Sequence, residues 1–523
     1  LMIKDPALIE HLENIPVESV LSVHGKVNMR APGSENPNMR TGDIEVHVRS
    51  VELLNEADAL PFYATQCRDD ALPKESLRAR YRYLDLRRRA LGDNIRRRSR
   101  VAHAARCYLH DQDFAEVETP VLLRSTPEGA REFLVPTRTP GAPSFYALQQ
   151  SPQQPKQLLV ASGVTDRYFQ FAKCFRDEDG RKDRQPEFTQ LDIEMGFVRG
   201  DGDGTWRIGG AEVRDTTEGV VRAMWEAAGQ PPLPSPFPVL KYEHVMARYG
   251  SDKPDLRFGL TIHDVAPSVF PDAYAALDLL VLPHYKGLKL SGRQIQALLV
   301  AKDGSRTDIE YFKAQVDAPG ALAALLANKS RAVRSLNETT DVAALAAALQ
   351  PCLAHANIYA GDAPLPRENR CDVFIVRRTL PASGGSTVLG DLRLRLVDAL
   401  ESQQAVRDQT PRIAWVTEFP LFTRDDEDKA ELAGGRWSSS HHPFTAPAAA
   451  DVPKLQAALQ APPAERDVLL GSIHGQHYDL VLNGAEIGGG SVRIHDPFIQ
   501  EDVLRGVLEV CHNTRCTYIA HAR

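Results

Sequence analysis

The sequence predicts a multidomain α+β protein, and three observations predict it. At 523 residues the chain is longer than one ordinary domain. Apolar and polar residues alternate with the period of a half-buried strand over Ser19–Val27, Glu45–Val51 and Phe188–Phe197. Long helical stretches stand between the strands: a basic run over 77–110 and the alanine-rich Ala321–Ala327 and Ala343–Leu349.

Pro32-Gly33 and Asn36-Pro37 supply turns between the first two strands. Residues 78–100 then hold ten arginines against Asp85 and Asp93, a local charge of +8 on a chain of net charge −7. Such a strip suits a phosphate backbone, or else it is the solvated face of a helix. Seven cysteines, odd in number and scattered, suggest a reducing compartment. Cys511, His512 and Cys516 lie close together, but no second ligand pair accompanies them. No apolar run approaches membrane-spanning length. The N-terminus, Leu1–Pro6, shows neither a signal peptide nor an Arg/Ser-rich presequence.

The densest polar segment is Phe175–Phe188, between an aromatic-rich run, Arg167–Cys174, and the alternating Phe188–Phe197. Thr189, Leu191, Ile193 and Met195 are expected to face a core, and Gln190, Asp192 and Glu194 the opposite side. With Arg176, Arg181, Lys182 and Arg184 beside that polar face, the segment suits a polyanionic ligand; it also reads as a solvated hairpin loop. Ser151 is the expected N-cap of a helix whose first residue is Pro152, which places Lys156 in the early turns, where a cation opposes the helix dipole unless an anion binds beside it.

Asn483-Gly484 is a two-residue hairpin signal that pairs Leu482 with Ala485 and Val481 with Glu486. Asp479 then shares a sheet face with Glu486, diagonal to it. The two carboxylates either form a Mg²⁺ site completed by phosphate oxygens or line a polar outer face. A bulge at Gly488–Gly490 is needed to bring Arg493 to the same face.

These segments resemble the class II aminoacyl-tRNA synthetases, and the wording Phe175-Arg-Asp-Glu-Asp179 followed by Arg184-Gln-Pro-Glu-Phe-Thr-Gln190 resembles motif 2 of their aspartyl branch. Phe114–Pro120 is similar to motif 1, the homodimer element, and Tyr249–Arg257 to a bacterial-type signature. The resemblance implies an antiparallel-sheet catalytic domain that activates L-aspartate with ATP and Mg²⁺ and transfers it to tRNA(Asp). It implies roles residue by residue: Arg176 as the catalytic cation bridging the α-carboxylate and α-phosphate; Glu128, Gln153, Lys156, His441, His442 and Arg493 with it around the amino acid; Asp177, Glu178, Gln185, Phe188 and Glu486 around ATP; Asp479 and Glu486 around the metal. In this pattern Lys156 and Arg493 bind the aspartate side chain, which disfavours an asparaginyl or lysyl enzyme.

The same resemblance divides the chain. Residues 1–60 read as part of a β-barrel (OB-fold) that binds the anticodon, and 61–76 as a linker. Residues 77–258 read as the first part of the catalytic domain, 259–400 as an α/β insertion domain and 401–505 as the second catalytic part. The first strands of the barrel are missing from the pattern and residues 506–523 lack motif 3 with its arginine, so the chain is expected to be truncated at both ends. An alternative is a catalytically impaired paralogue or fragment that only binds tRNA or dimerises. The wording of Gln150–Gln154 and Leu282–Leu290 resembles fungal mitochondrial members, which implies the mitochondrial matrix, with the bacterial cytoplasm as alternative.

Overall fold

Alternation becomes pairing at once in the N-terminal part. Helix α1 (Pro6–Glu13) is capped by Asp5, whose carboxylate accepts from the Ala7 amide at 3.0 Å. Strands β1 (Val20–Met29) and β2 (Ile44–Asn55) pair antiparallel, with a register shift at His24/Gly25. Gly25 is required there, because a Cβ would stand 2.3 Å from the His47 carbonyl oxygen. The computed structural model describes all residues except 38, 64–70, 127–130, 139–143, 179–184, 199–209, 271–274, 286–287, 301–306, 337–339, 356–358, 361–362, 365–366, 380–383, 404–405, 425–436 and 510–523. The expected barrel is not closed by the described residues of 1–60: Met2 adds one bridge to His47, and Val20, Val27, Met29 and Leu54 stay exposed. Alternation defines the two faces of a strand but not how many neighbours it acquires.

The chain divides into two units, Leu1–Ala102 and His103–Arg523. The arginine strip lies within the first and is partly internal. Asp85 is fully buried and receives Arg82 at 2.6 Å, Arg88 at 3.0 Å and Arg78 at 3.5 Å. Arg89 and Arg96 pair with Asp93 on helix α2 (Arg89–His110), and Arg87 pairs with Glu18. At least six of the ten arginines thus have carboxylate partners within the fold, so the strip carries less open positive charge than its composition suggests.

In the second unit, Ala105 and Leu109 pack with Phe114, Phe169 and Val220. Strand β3 (Ala115–Glu116) runs parallel to β4 (Arg167–Phe175), which pairs antiparallel with β5 (Glu187–Met195). Leu191, Ile193 and Met195 pack on that core, as their spacing requires, which leaves Asp192 and Glu194 on the other face, towards helix α3 (Gln153–Ala161). Helix α4 (Gly210–Ala227) contributes Glu218, buried, which accepts from the Trp415 indole N–H at 3.0 Å. Strand β6 (Val239–Lys241) leads directly into helix α5 (Tyr242–Tyr249).

Residues 258–406 build a separate four-stranded sheet. It contains β7 (Ile262–Asp264), β8 (Ala275–Tyr285), β9 (Glu310–Ala314) and β10 (Arg367–Thr379), in the order β7-β8-β10-β9. Strand β8 is buried on both faces. Leu277, Leu279 and Val281 pack on the alanine-rich helices α6 (Pro319–Lys329) and α7 (Val342–His355), while Leu280 and Leu282 pack on α8 (Val388–Glu401). The chain then returns with β11 (Ile413–Thr417), β12 (His477–Leu482) and β13 (Ala485–Ser491), which with β6 form a sheet of order β13-β12-β11-β6. Of the last segment, Val507 and Leu508 are buried beside Leu455 and Leu470; 510–523 fall outside the described residues. No helix among the described residues is long and apolar enough to cross a membrane.

Candidate active site

Helix α3 begins at Gln153, one residue later than expected, and Pro152 occupies the N-cap without a side-chain hydrogen bond. Proline has no side-chain acceptor, so the N-cap satisfies none of the first amides through its side chain, and Ser151 is left outside the helix. Gln153 and Lys156 are both buried. The Lys156 ammonium lies 2.7 Å from Asp192 Oδ1 and 3.0 Å from Glu194 Oε2. Burial pulls its pKa down, but Asp192 and Glu194 outweigh burial and hold it above the ordinary lysine value, so it stays charged. The two carboxylates reach one ammonium because they stand two residues apart on one strand.

The second cation differs. Arg493 donates to Ser491 Oγ at 2.7 Å and to Gln153 Oε1, and its Nε is buried without a partner. Among the described residues no carboxylate pairs with this guanidinium. Gln153 Nε2, Ser440 Oγ and His442 Nε2 are also buried and unsatisfied. Buried polar atoms are normally bonded, so the orphaned donors of Gln153 and His442 beside a guanidinium that no described carboxylate pairs call for an anionic, acceptor-rich ligand.

Two backbone bonds carry the histidine segment to Arg493: Ala446 N to Val492 O at 2.9 Å and Ile494 N to Phe444 O at 2.8 Å. The Phe444 amide donates to His442 Nδ1 at 3.1 Å, which leaves the ring proton on Nε2. Burial first, then the charges of Arg493, His441, Lys156 and Arg176, hold His442 neutral. His441 stacks on His477 with ring centroids 5.3 Å apart, and His477 stacks on Phe419 at 4.9 Å. His477, not expected from the sequence, thus supports the histidine pair from below.

The hairpin forms at Asn483-Gly484, with φ of +54° and +83°, and pairs Val481 with Glu486. The bulge falls at Ile487, just before the glycines expected to hold it, since Leu480 pairs with Gly488 and Asp479 with Gly489. Its effect is unchanged: one extra residue turns Gly489, Ser491 and Arg493 to the face of Glu486. A Cβ on Gly489 would stand 2.9 Å from Asp479 Oδ1 and 3.6 Å from Glu486 Oε1, so the glycine leaves open the gap between the two carboxylates. Lys253, also missed, approaches their other oxygens, 3.4 Å from Glu486 Oε2 and 3.9 Å from Asp479 Oδ2. Among the described residues no third ligating side chain joins the pair. Two hard oxygen donors with room for phosphate and water oxygens fit Mg²⁺.

Burial, then the charge of Glu486, pushes the Asp479 carboxyl up to about 8, against a partial correction by Lys253. A raised carboxyl costs nothing below the ordinary carboxylate range and its full penalty above the folded-state pKa. Asp479→Asn is therefore expected to stabilise the metal-free protein increasingly between about pH 4 and about pH 8, by on the order of 1–3 kcal/mol at the alkaline end, and by a constant amount above it. Thermal melts with a chelator present check this; a constant difference across that range rules it out.

At the other end, Arg176 follows β4 directly, and its amide donates to the Pro186 carbonyl at 2.9 Å. Its guanidinium lies 5.2 Å from the Phe188 ring centroid, with Nε buried and unpartnered. Asp177 and Glu178 are fixed through their backbones, to Arg131 O at 3.0 Å and Arg176 O at 2.9 Å, and Gln185 is exposed. Glu128, Arg181, Lys182 and Arg184 lie outside the described residues.

A paired strand hairpin carrying an arginine over an aromatic ring, next to a cationic pocket and a carboxylate pair, defines a ligase site of one class: residues 74–513 match the tRNA synthetases class II (D, K and N), and the chain belongs to that family. Within it the chain falls among the aspartate–tRNA ligases. It is 39% identical over 504 residues to the mitochondrial aspartate–tRNA ligase of Mus musculus, covering 94% of this chain and 69% of that one. It is 38% identical to the aspartate–tRNA ligase of Geobacillus kaustophilus, covering 95% and 75%. It is 37% identical to the aspartate–tRNA(Asp/Asn) ligase of Opitutus terrae, covering 96% and 77%.

Proposed function

We propose that the chain condenses L-aspartate with ATP and passes the aspartyl group to tRNA(Asp), and the observation that carries this reading is the guanidinium of Arg493, unpaired by any described carboxylate. Lys156 already shares its charge with Asp192 and Glu194, so Arg493 is the cation with capacity for the side-chain carboxylate of aspartate. His442 Nε2–H and Gln153 Nε2 add neutral donors around it, and Glu128 is the acceptor for the α-amino group. Arg176 binds the α-carboxylate and the α-phosphate together, which offsets their repulsion as they meet. The carboxylate oxygen attacks the α-phosphorus in line, the bond to the β-phosphate oxygen breaks, and pyrophosphate leaves. The terminal ribose hydroxyl of tRNA then attacks the aspartyl carbonyl and AMP leaves. Phe188 offers a face to adenine, with Asp177, Glu178 and Gln185 near its edge. Asp479 and Glu486 would hold Mg²⁺, which would supply neutralisation of the phosphate charge.

Residues 1–60 are read as part of an anticodon-binding OB-fold, and 259–400 as an insertion domain. Motif 1 at Phe114–Pro120 supports a homodimer. A mitochondrial matrix location follows from the resemblance at Gln150–Gln154; relatives of both mitochondrial and bacterial origin are similar to the chain.

ATP–pyrophosphate exchange tests the substrate. Aspartate is expected to support exchange at least about 100-fold better than asparagine or lysine, because an amide or ammonium leaves Arg493 unpaired. Stimulation by lysine but not by aspartate overturns the assignment.

A further inference from the structure

Lys253 belongs to none of the binding roles above, yet it touches both proposed metal ligands. It follows helix α5, which Gly250 terminates at φ +64°. The loop is held by backbone bonds to the segment before α8: Thr387 N to Gly250 O at 2.8 Å and Asp252 N to Gly385 O at 3.0 Å. The Lys253 amide donates to Ser251 Oγ at 3.1 Å. Gly250 itself has no room for a side chain, since a Cβ would stand 2.6 Å from Gly390 Cα. The lysine is thus mounted on a pinned turn. Its ammonium lies 2.8 Å from Asp252 Oδ2, 3.4 Å from Glu486 Oε2 and 3.9 Å from Asp479 Oδ2.

The carboxylates use different oxygens on their two sides. Oδ2 and Oε2 face Lys253, whereas Oδ1 and Oε1 face the gap at Gly489. A cation in that gap and the ammonium of Lys253 therefore share the same two carboxylates through different oxygens. Asp252, Asp479 and Glu486 outnumber the one ammonium, so the gap keeps a net demand for positive charge, and Lys253 is the cation that already meets part of it.

We propose that Lys253 is the resident counter-cation of the nucleotide end: a positioning residue that lowers the affinity of the empty carboxylate pair for free divalent metal, so that the metal is retained together with the nucleotide's phosphates. This rests on the reading of Asp479 and Glu486 as the metal pair. The lysine repels a second cation across a few ångströms, where one unit charge acts strongly even at the effective dielectric of a protein surface.

The test measures Mn²⁺ binding to the full chain by electron paramagnetic resonance, without ATP. Lys253→Gln is expected to tighten Mn²⁺ binding about tenfold or more. Lys253→Arg, which keeps the charge, is expected to bind like the parent. With ATP present the difference between Lys253→Gln and the parent narrows, because the phosphates supply the missing negative charge. Glu486→Gln serves as the reference. If Mn²⁺ binding is absent or insensitive to Glu486→Gln, the carboxylate pair is not the metal site and the reading beneath this inference falls with it. If binding is sensitive to Glu486→Gln but Lys253→Gln leaves it unchanged or weakens it, Lys253 is not a competing counter-cation and this inference alone is overturned. A loss common to Lys253→Gln and Lys253→Arg has the same consequence, since it marks a packing role.

Discussion

Arg493→Leu weakens aspartate binding by about 2–5 kcal/mol, roughly 30- to 5,000-fold, and leaves ATP affinity nearly unchanged. The effect is large because nothing else replaces the lost charge. Lys156, the other cation of the pocket, is bound to Asp192 at 2.7 Å and Glu194 at 3.0 Å and has little charge to spare. The substitution also removes an orphaned guanidinium nitrogen, so the folded state is not expected to suffer a loss of comparable size. Arg493→Lys keeps the charge but not the planar fork and falls between the two. Isothermal titration with aspartate and ATP separately checks the split. Aspartate affinity within twofold of the parent shows that Arg493 does not bind the ligand, and the placement of the pocket then fails.

The second large effect belongs to Arg176. Replacement by alanine is expected to lower the rate of ATP–pyrophosphate exchange at saturating substrates by about 10²- to 10³-fold, near 3–4 kcal/mol, and to weaken both substrates. In the proposed role one guanidinium serves two anions whose repulsion is greatest as the new bond forms. The side chain already stands over Phe188 at 5.2 Å, and its Nε is buried without an acceptor. No described protein group has to be displaced when the anions arrive, so the interaction is preorganised. The signature differs from that of Arg493, whose loss falls on one substrate. If Arg176→Ala raises the KM for aspartate alone and leaves the maximal rate intact, Arg176 does not contact the nucleotide.

Single residues show where sequence reasoning reached and where it stopped. The polar face of β5 was legible because a strand has a strict period of two: once Leu191, Ile193 and Met195 face a core, Asp192 and Glu194 must share the other side. That they clasp Lys156 was not legible, since the lysine lies on a helix 36 residues earlier and only packing sets the distance. The hairpin at Asn483-Gly484 was legible because its turn needs two residues tolerant of positive φ. The bulge was placed within the three glycines, where conformational cost is least, but Ile487 takes it. Pairing along β12 decides that position, not the tolerance of the bulged residue. For the arginine strip, composition showed positive charge; the fold turned three arginines onto the buried Asp85.

By itself the sequence determined the elements with local causes: which strands alternate, where the tight turn lies, which residues share a face, and that cations and carboxylates recur in the pattern of this ligase family. The tertiary structure decided which of those charges remain unpaired. Lys156 and Arg493 are both cations in the same pocket, yet Lys156 is bound to two carboxylates and no described carboxylate pairs with Arg493. Lys253 reaches Asp479 and Glu486 from more than 200 residues away. The reason is the range of the interactions. Backbone conformation and side-chain period act over a few neighbouring residues and are written into local sequence, whereas an ion pair depends on a separation of a few ångströms that exists only once distant elements have packed.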